Sequence, residues 1–511
     1  MREFLMVLPE VFLVLTMALV VVGEISYHGE RSRLVAWTTL CGLGGAFIQT
    51  LVSYQFEAAQ IFSNTLSIDA YSLVFKLLAI VLTSFSVALG ATSQEVPRSR
   101  FAEFCALCLA ACLAICLSAS ATDALLAFLT LQTVNICGYF LAGYGKDSAR
   151  STEAGVKFLG FGALSAALLL YGLAFLFAKT HTLNIFEMHR QLLAAPLTHT
   201  ETLVVFTLVF LAFGFQMALF PMHFWAPDVL DGAPTPAAGF LAIAPRLAGF
   251  ALAFRFLIGV FASTQASAQG QLGRWVPMGD FDWSRMLVVV SGASMVVGSL
   301  FALKQKSAKR LVSGLVIVQS GFVLVGLLVL DQLGVAGFIF HFWLQTLSIL
   351  GVFCVLTWFQ SEAGSDYLDA FKGLLRGRTM ESLFLVFFLL CLVGVPPLPG
   401  FLANFTIVGV ALRHHWPVLA ATAILSTVVS TAAVARLCFS LVGEFAGGKS
   451  EPLGEPGYSQ EVQIELAPQP RGEWLQRMGL LLLLSLPIIS IGVFAESVLN
   501  WAGRSLTFIF W

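Results

Sequence analysis

The chain has 511 residues, of which 58% are hydrophobic and only 11% are charged, and its formal net charge is -1. A soluble domain carries roughly 25% charged residues, so this composition excludes an ordinary soluble protein. A charge balance so close to neutral also argues against a nucleic-acid partner. Apolar runs recur from end to end, and each is long enough to cross a lipid bilayer as a helix. We therefore predict an all-α polytopic membrane protein embedded in lipid.

The apolar runs indicate about fourteen spans, if each membrane helix needs roughly 20 residues. In chain order the predicted spans are 4–23, 34–53, 69–91, 101–118, 122–143, 156–178, 202–221, 236–262, 286–303, 310–330, 334–358, 382–398 continuing as 401–412, 415–443, and 475–497. Lysine and arginine residues are concentrated in the loops that follow odd-numbered spans, such as Lys304 and Lys306 after span 9. Because cytoplasmic loops are enriched in these residues, both termini are predicted to lie on the non-cytoplasmic side.

Prolines interrupt two of the spans. Pro221 ends one apolar run, and Pro396 and Pro397 interrupt another, because proline removes a backbone donor and clashes with the preceding helical turn. These interrupted spans, 7 and 12, lie one five-helix unit apart, and paired broken helices in inverted repeats are typical of transporters. We therefore predict two inverted five-helix repeats, spans 4–8 and 9–13. Within a single membrane domain (1–511), this gives three initial helices (1–100), a first repeat (101–262), a second repeat (286–443), a cytoplasmic loop (444–474) and a last helix with its tail (475–511).

Several charged residues fall within spans, where a charge is costly and is therefore a functional candidate. Glu103 begins span 4 and Lys157 begins span 6, both on the predicted cytoplasmic side. If the two side chains approach each other, each stabilises the charged form of the other, and separating them would drive proton uptake or release. Glu10 is as consistent with helix pairing as with function. Arg255 lies near a span end, where snorkelling towards the surface is the expected role.

The cysteines do not indicate a redox or metal site. Four of the nine, Cys105, Cys108, Cys112 and Cys116, follow helical spacing within an apolar run, and we interpret them as packing residues. The sequence also has no dinucleotide-binding fingerprint and no cluster-ligand cysteine spacing. We therefore predict no catalytic residue, metal site or cofactor site in this chain.

Several motifs resemble those of one known family. They are LPE at 8–10, DAYSLVFK at 69–76, EAGVKFLGFGALSAALLLYG at 153–172, PMHFWAPDVLDGAPTP at 221–236, LAGF at 247–250, LKQKSAKRLV at 303–312 and GVPPLPGF at 394–401. In order and content they resemble subunit N of respiratory complex I, an antiporter-like proton-translocating subunit of NADH-quinone oxidoreductase. The resemblance implies fourteen helices in two inverted repeats with broken helices 7 and 12, in a bacterial-type inner membrane. It also implies antiporter-like and quinone-proximal subunits as partners, with flavin, iron–sulfur clusters and quinone held elsewhere in the assembly.

The family moves protons along an axis of buried Glu and Lys residues, and the chain matches that axis only in part. Glu103, Glu153, Lys157 and His223 stand where the resemblance places an acid, an acid, a lysine and a histidine. Five other positions depart from it: Gln132 replaces a Glu, Gln216, Arg246 and Asn404 replace lysines, and Gln319 replaces a histidine.

The replacements remove groups that can exchange a proton. Amide side chains do not titrate, and an arginine stays charged. Loss of a Glu at 132 together with a Lys at 216 also avoids leaving one buried charge without its partner. We therefore predict that the proton channel of this chain is impaired. Its remaining proton-path candidates are Glu103, Glu153, Lys157, His223 and Arg246.

Three functions remain open from the sequence. The chain is an ordinary pumping subunit of a complex I-type assembly, or a structural spacer between quinone-proximal and distal antiporter-like subunits. The third alternative is a subunit of a cation/proton antiporter or a membrane hydrogenase built on the same fold.

Overall fold

A computed structural model describes residues 5–26, 32–265, 274–277, 282–329, 332–443 and 470–504. Apart from residues 470–474, the predicted cytoplasmic loop 444–474 lies outside the described residues.

Helices make up nearly all of the described chain. Their bounds are α1 Leu8–Ser26, α2 Ser32–Ser53, α3 Ala70–Thr92, α4 Phe101–Ser120, α5 Ala124–Ala142, α6 Ala149–Thr180, α7 Ile185–Ala194, α8 His199–Gln216, α9 Trp225–Gly232, α10 Thr235–Leu241, α11 Ala244–Phe256, α12 Trp283–Lys304, α13 Ala308–Val329, α14 Gln332–Ala363, α15 Leu374–Gly377, α16 Thr379–Val393, α17 Pro399–Arg413, α18 Pro417–Val442, α19 Arg471–Val493 and α20 Ala495–Arg504. Two short antiparallel hairpins join some of them, β1 Ala59–Ile61 with β2 Leu66–Ile68 and β3 Ala262–Gln265 with β4 Arg274–Pro277.

Thirteen of the described helical segments are long and apolar enough to cross a membrane. Two shorter apolar helices, Thr379–Val393 and Pro399–Arg413, follow each other and together form the interrupted span 12. The prediction of an all-helical membrane protein with about fourteen spans is therefore confirmed. The inverted symmetry of the two repeats and the division of the domain remain predictions.

Two helices extend beyond their predicted spans. α6 begins at Ala149 rather than at 156, and α14 ends at Ala363 rather than at 358, and each has 32 residues. At 1.5 Å per residue such a helix is about 48 Å long, which exceeds the roughly 30 Å of hydrocarbon in a bilayer. The ends of both helices are therefore expected to project from the membrane. At the start of α6 the Ser148 hydroxyl accepts a hydrogen bond from the N–H of Ser151 and so caps the helix.

Both predicted breaks are present. In a continuous helix the ring of Pro221 would clash with the carbonyl of the residue four positions earlier, Met217. α8 ends one residue before that position, at Gln216. At the second break α16 ends at Val393, and Gly394 follows with a φ of 84°, a left-handed conformation that glycine adopts without strain. α17 then begins at Pro399.

Three helical segments form the buried centre of the described chain. Within their most apolar segments, α13 and the stretch Thr235–Phe261 are buried at every position, and α14 at nearly every position. α1, α2 and α19 lie at the periphery, since less than a third of the most apolar segment of each is buried. Polar side chains in the buried parts of α11, α13 and α14 are therefore enclosed by protein.

Candidate functional site

At the first break, two buried amides form a hydrogen-bonded pair. Gln216 is the last residue of α8, and its Nε2 donates to Oδ1 of Asn135 on α5 at 2.9 Å. The hydrogen-bond partner of Gln216 is therefore Asn135 and not Gln132, the position whose replacement the sequence pairs with that of Gln216. Positions 132 and 135 are about 60° apart around a helix, and it is Asn135 that is fully buried, whereas Gln132 is half-buried.

The centre of the molecule contains a buried arginine. Arg246, in the first turn of α11, donates through Nε to Ser320 Oγ at 2.9 Å and through Nη2 to Gln345 Oε1 at 2.7 Å. Its guanidinium also lies 5.7 Å from the centre of the Phe342 ring. All three partners are electrically neutral, and Arg246 forms no ion pair with a carboxylate among the described residues.

At the second break, amides satisfy backbone carbonyls. The Nε2 of Gln319 donates to the carbonyl of Leu392, and the Nδ2 of Asn404 donates to that of Val393 at 2.8 Å. These carbonyls belong to the last residues of α16, which have no partner in the next helical turn. Gln319 and Asn404 therefore cap a helix end that the prolines leave open.

Several buried polar atoms at the two breaks and around Arg246 have no hydrogen-bond partner among the described residues. They are Asn135 Nδ2, Gln216 Oε1, Gln319 Oε1, Gln345 Nε2, His223 Nδ1 and both ring nitrogens of His341. Buried polar atoms normally bind a protein group or an ordered water. We name the buried group of Asn135, Gln216, Arg246, Gln319, Gln345 and Asn404 the polar axis, since its members are amides and one arginine.

His223 lies in the link between α8 and α9. It is buried, and its ring stands 4.5 Å from that of Phe224 and 5.8 Å from that of Phe220. The indole N–H of Trp225 donates to the carbonyl of Phe215 at 2.9 Å and so satisfies the end of α8. The aromatic residues of the motif hold the break in shape, and His223 is the titratable group within it.

A group of charged residues lies at the end of the bundle that is predicted to face the cytoplasm, and we name it the ionic cluster. Its members are Arg150, Glu153, Lys157, Asp228, Asp231 and Arg310. Lys157 contacts Glu153 at 2.8 Å and Asp228 at 2.7 Å. Arg310 contacts Asp228 at 2.9 Å and Asp231 at 3.1 Å.

Glu103 and Lys157, whose approach the sequence leaves open, form no ion pair with each other among the described residues. Glu103 is exposed on α4, and the partners of Lys157 are Glu153 and Asp228. The reason is local, because Glu153 stands one turn before Lys157 on the same helix, where an oppositely charged pair forms readily. Sequence reasoning missed Asp228 and Asp231, although their i, i+3 spacing places them on one side of α9.

Two further buried ion pairs lie in the first part of the chain. Glu10 on α1 meets Lys76 on α3 at 2.6 Å, so the helix-pairing reading of Glu10 has a structural basis. The sequence predicts that Arg255 snorkels towards the surface, and this prediction is wrong. Nη2 of Arg255 lies 2.8 Å from both carboxylate oxygens of Asp69. Snorkelling is unnecessary because Asp69 supplies the countercharge inside the protein.

A family model for "NADH:quinone oxidoreductase/Mrp antiporter, TM" matches residues 121–430. The chain belongs to this family. The matched segment runs from the start of α5 into α18 and contains the polar axis and the ionic cluster. Glu10 and Lys76, which pair with each other, and Asp69, which pairs with Arg255, precede this segment.

Curated relatives within the family cover most of the chain. NADH-quinone oxidoreductase subunit N 2 of Chloroherpeton thalassium is 34% identical over 430 residues, covering 83% of this chain and 82% of the relative. NADH-quinone oxidoreductase subunit N of Chlorobium chlorochromatii is 31% identical over 427 residues, with the same coverage. The resemblance to subunit N is therefore confirmed over about four fifths of the chain.

Solved structures agree with this assignment. A chain of respiratory complex I from Thermus thermophilus with bound aureothin superposes with a TM-score of 0.74 at 25% identity, covering 96% of this chain and 98% of that chain. Chains of an archaeal membrane-bound sulfane sulfur reductase and of an Mrp complex from Dietzia share the fold, with TM-scores of 0.81 and 0.79 at 22% and 18% identity.

Proposed function

We propose that the chain is a subunit-N-type component of the membrane arm of a complex I-like NADH-quinone oxidoreductase, which couples electron transfer to quinone with proton translocation. Its similarity to subunit N proteins over more than four fifths of its length carries this proposal. The chain contributes no redox group itself. Flavin, iron–sulfur clusters and quinone belong to other subunits, and antiporter-like and quinone-proximal subunits are its neighbours in the membrane.

The orientation follows from the distribution of positive charge. Both termini are assigned to the non-cytoplasmic side of a bacterial-type inner membrane, because Lys and Arg are concentrated in the loops of the opposite side. The ionic cluster then faces the cytoplasm, and the proton-path candidates Glu103, Glu153, Lys157, His223 and Arg246 extend from that side towards the polar axis.

The second part of the proposal is that the chain's own proton channel is impaired. A proton-conducting axis needs groups that gain and lose a proton as charge moves. In this chain an amide pair occupies the first break, amides cap the second, and the centre holds an arginine with neutral partners. Such groups orient water, but they do not store a proton between steps.

The structural spacer is the second candidate, and the same amides favour it. In that case the chain joins quinone-proximal and distal antiporter-like subunits without conducting protons. The shared fold of the Mrp and sulfane sulfur reductase chains keeps an antiporter or another membrane oxidoreductase as a further alternative.

Affinity purification through a tag on this chain tests the assembly. We expect co-purification with other antiporter-like subunits and with electron-input subunits that carry flavin and iron–sulfur clusters. NADH oxidation by quinone should then acidify one side of proteoliposomes. Recovery of antiporter subunits without electron-input subunits would refute the assignment and favour the antiporter alternative.

A further inference from the structure

The buried cations of the described chain differ in one respect. Four Lys or Arg residues are almost fully buried, namely Lys76, Arg246, Arg255 and Lys309. Three of them contact a carboxylate: Lys76 meets Glu10 at 2.6 Å, Arg255 meets Asp69 at 2.8 Å, and Lys309 meets Asp366 at 3.2 Å. Arg246 is the exception.

A lone guanidinium in this position is energetically unfavourable. Transfer of an unpaired charge from water to a protein interior costs several kcal/mol, and an arginine does not escape that penalty by losing its proton. Arg246 also lies in the first turn of α11, where the partial positive charge of the helix N-terminus adds to its own. The local potential therefore favours a negative ion.

One amide donor beside Arg246 has no acceptor among the described residues. Because Oε1 of Gln345 accepts from Arg246, the amide is turned so that its Nε2 remains a donor without an acceptor. Ser320 accepts from Arg246 and gives its own proton to the carbonyl of Val316. His341 stands one turn before Gln345 on the same side of α14, and neither of its ring nitrogens has a partner among the described residues.

We propose that Arg246 and Gln345, with His341 beside them, form a binding site for a small monovalent inorganic anion, chloride in physiological conditions. The ion accepts from the guanidinium and from Gln345 Nε2 and so supplies the negative charge that glutamate or aspartate supplies to the other three buried cations. The site is independent of whether the assembly pumps protons through this chain.

The heat resistance of the purified assembly tests the proposal. Samples with a fluorescent tag on this chain are heated in sodium chloride or sodium gluconate at equal ionic strength, and the fraction that elutes as intact assembly is measured. A ligand that binds only the folded state stabilises it. We expect chloride to raise the temperature of half-loss by about 1–3 °C in a saturable manner, and bromide to act similarly. Arg246→Gln should abolish the difference between the salts.

A second variant keeps the test decisive if Arg246→Gln does not assemble. Gln345→Glu places a carboxylate against Arg246, in the position from which the amide now accepts. We expect this variant to lose its chloride dependence and to match or exceed the wild type in gluconate. Gln132→Glu is the matched control, since it adds an acid at a half-buried amide on another helix, and it should keep the full chloride effect.

Two results would overturn the proposal. Equal heat resistance of the wild type in chloride and gluconate would show that Arg246 is solvated by water alone. A chloride effect that persists in Gln345→Glu and in Arg246→Gln would place the anion elsewhere in the assembly. Neither result depends on NADH oxidation or proton movement, so either can be told apart from a failure of the proposed function.

Discussion

Two arginines on the same helix have opposite surroundings. Arg255, near the end of α11, donates to both oxygens of Asp69 at 2.8 Å and to the carbonyl of Ala119 at 2.6 Å. Arg246, near its beginning, donates to a hydroxyl and an amide and forms no ion pair in the described part of the chain. The helix therefore carries a complete ion pair at one end and a charge without countercharge at the other.

The two arginines differ in role: one belongs to an ion pair that joins helices, and the other belongs to the polar axis. Asp69 also caps α3, because its Oδ1 accepts from the N–H of Ser72 at 2.8 Å, so the ion pair joins α11 to the start of another helix. Along the axis, by contrast, amides have taken the positions at which the family resemblance places titratable groups. Asp69 and Arg255 therefore hold helices together by charge, whereas the amides of the polar axis satisfy each other and backbone carbonyls.

The largest expected effect comes from breaking the pair at Arg255. Asp69→Asn keeps a side chain that caps helices well but leaves Arg255 buried without a countercharge, which should destabilise the chain by about 3–5 kcal/mol. Retention of the tagged chain in the assembly during heating measures this loss. Asp369→Asn is the control, because Asp369 is 80% exposed in its pair with Lys372 and should contribute little. Equal behaviour of the two variants would contradict a structural role for Asp69.

The second prediction concerns the amide pair at the first break. Gln216→Lys alone buries an ammonium group beside Asn135. It should destabilise the folded chain by about 3–5 kcal/mol, as a broken buried ion pair does, and so reduce the amount of intact assembly. Adding Asn135→Glu supplies the countercharge at the atom that Gln216 now contacts. The double variant should regain assembly and raise the number of protons moved per electron pair in proteoliposomes.

A comparison of two double variants sharpens this test. Gln132→Glu with Gln216→Lys restores the residue types that the family resemblance gives, but position 132 is half-buried and is not the residue that contacts Gln216. We expect it to rescue assembly less well than Asn135→Glu with Gln216→Lys. Full proton stoichiometry in the unmodified assembly, with no gain in either double variant, would contradict the impaired channel.

The sequence was sufficient for the spans and the breaks, because both depend on local properties. Long apolar runs and prolines act within a few turns of helix, and the break at Pro221 lies where that reasoning placed it. Contacts between helices were not accessible in the same way. Arg255 and Asp69 are 186 residues apart, and nothing in the composition of either span relates them.

The rotation of each helix decides which of its polar residues makes a contact within the site. Gln132 and Asn135 are both polar residues on α5, and only the packing of α5 against α8 shows which of them faces Gln216. Glu103 and Lys157 likewise begin spans on the same predicted side, yet Lys157 turns towards α9 and Asp228. Residue type and depth were predicted, whereas direction around the helix axis was not.

A smaller effect is expected at the ionic cluster. Lys157 is 39% exposed, and its pairs with Glu153 and Asp228 should each stabilise the chain by less than about 1 kcal/mol. If the channel is impaired, Lys157→Met should leave the number of protons moved per electron pair unchanged. Lys179→Met is the matched control, since Lys179 is 36% exposed and pairs with Glu201 at 3.2 Å in another part of the chain. A lower proton yield in Lys157→Met alone would show that this chain conducts protons.

The smallest effect belongs to a basic group that, unlike Arg246, becomes neutral when it lacks a carboxylate. His189 lies on α7, between two spans, and its Nδ1 is buried without a partner among the described residues. Burial lowers the pKa of His189 below its usual 6.5, so the unfolded chain takes up a proton more readily than the folded chain. Stability is therefore lost as the pH falls below about 6.5. The loss is far smaller than the roughly 1.4 kcal/mol per pH unit that a whole proton would give, because the side chain is half-exposed.

His189→Gln should flatten the dependence of heat resistance on pH between 7.5 and 5.5. His181→Asn, at an exposed position with a φ of 55° that asparagine tolerates, should leave that dependence unchanged. An identical dependence of heat resistance on pH in the wild type and in His189→Gln would show that the His189 ring is fully hydrated. It would also contradict the statement that His189 becomes neutral because it is buried.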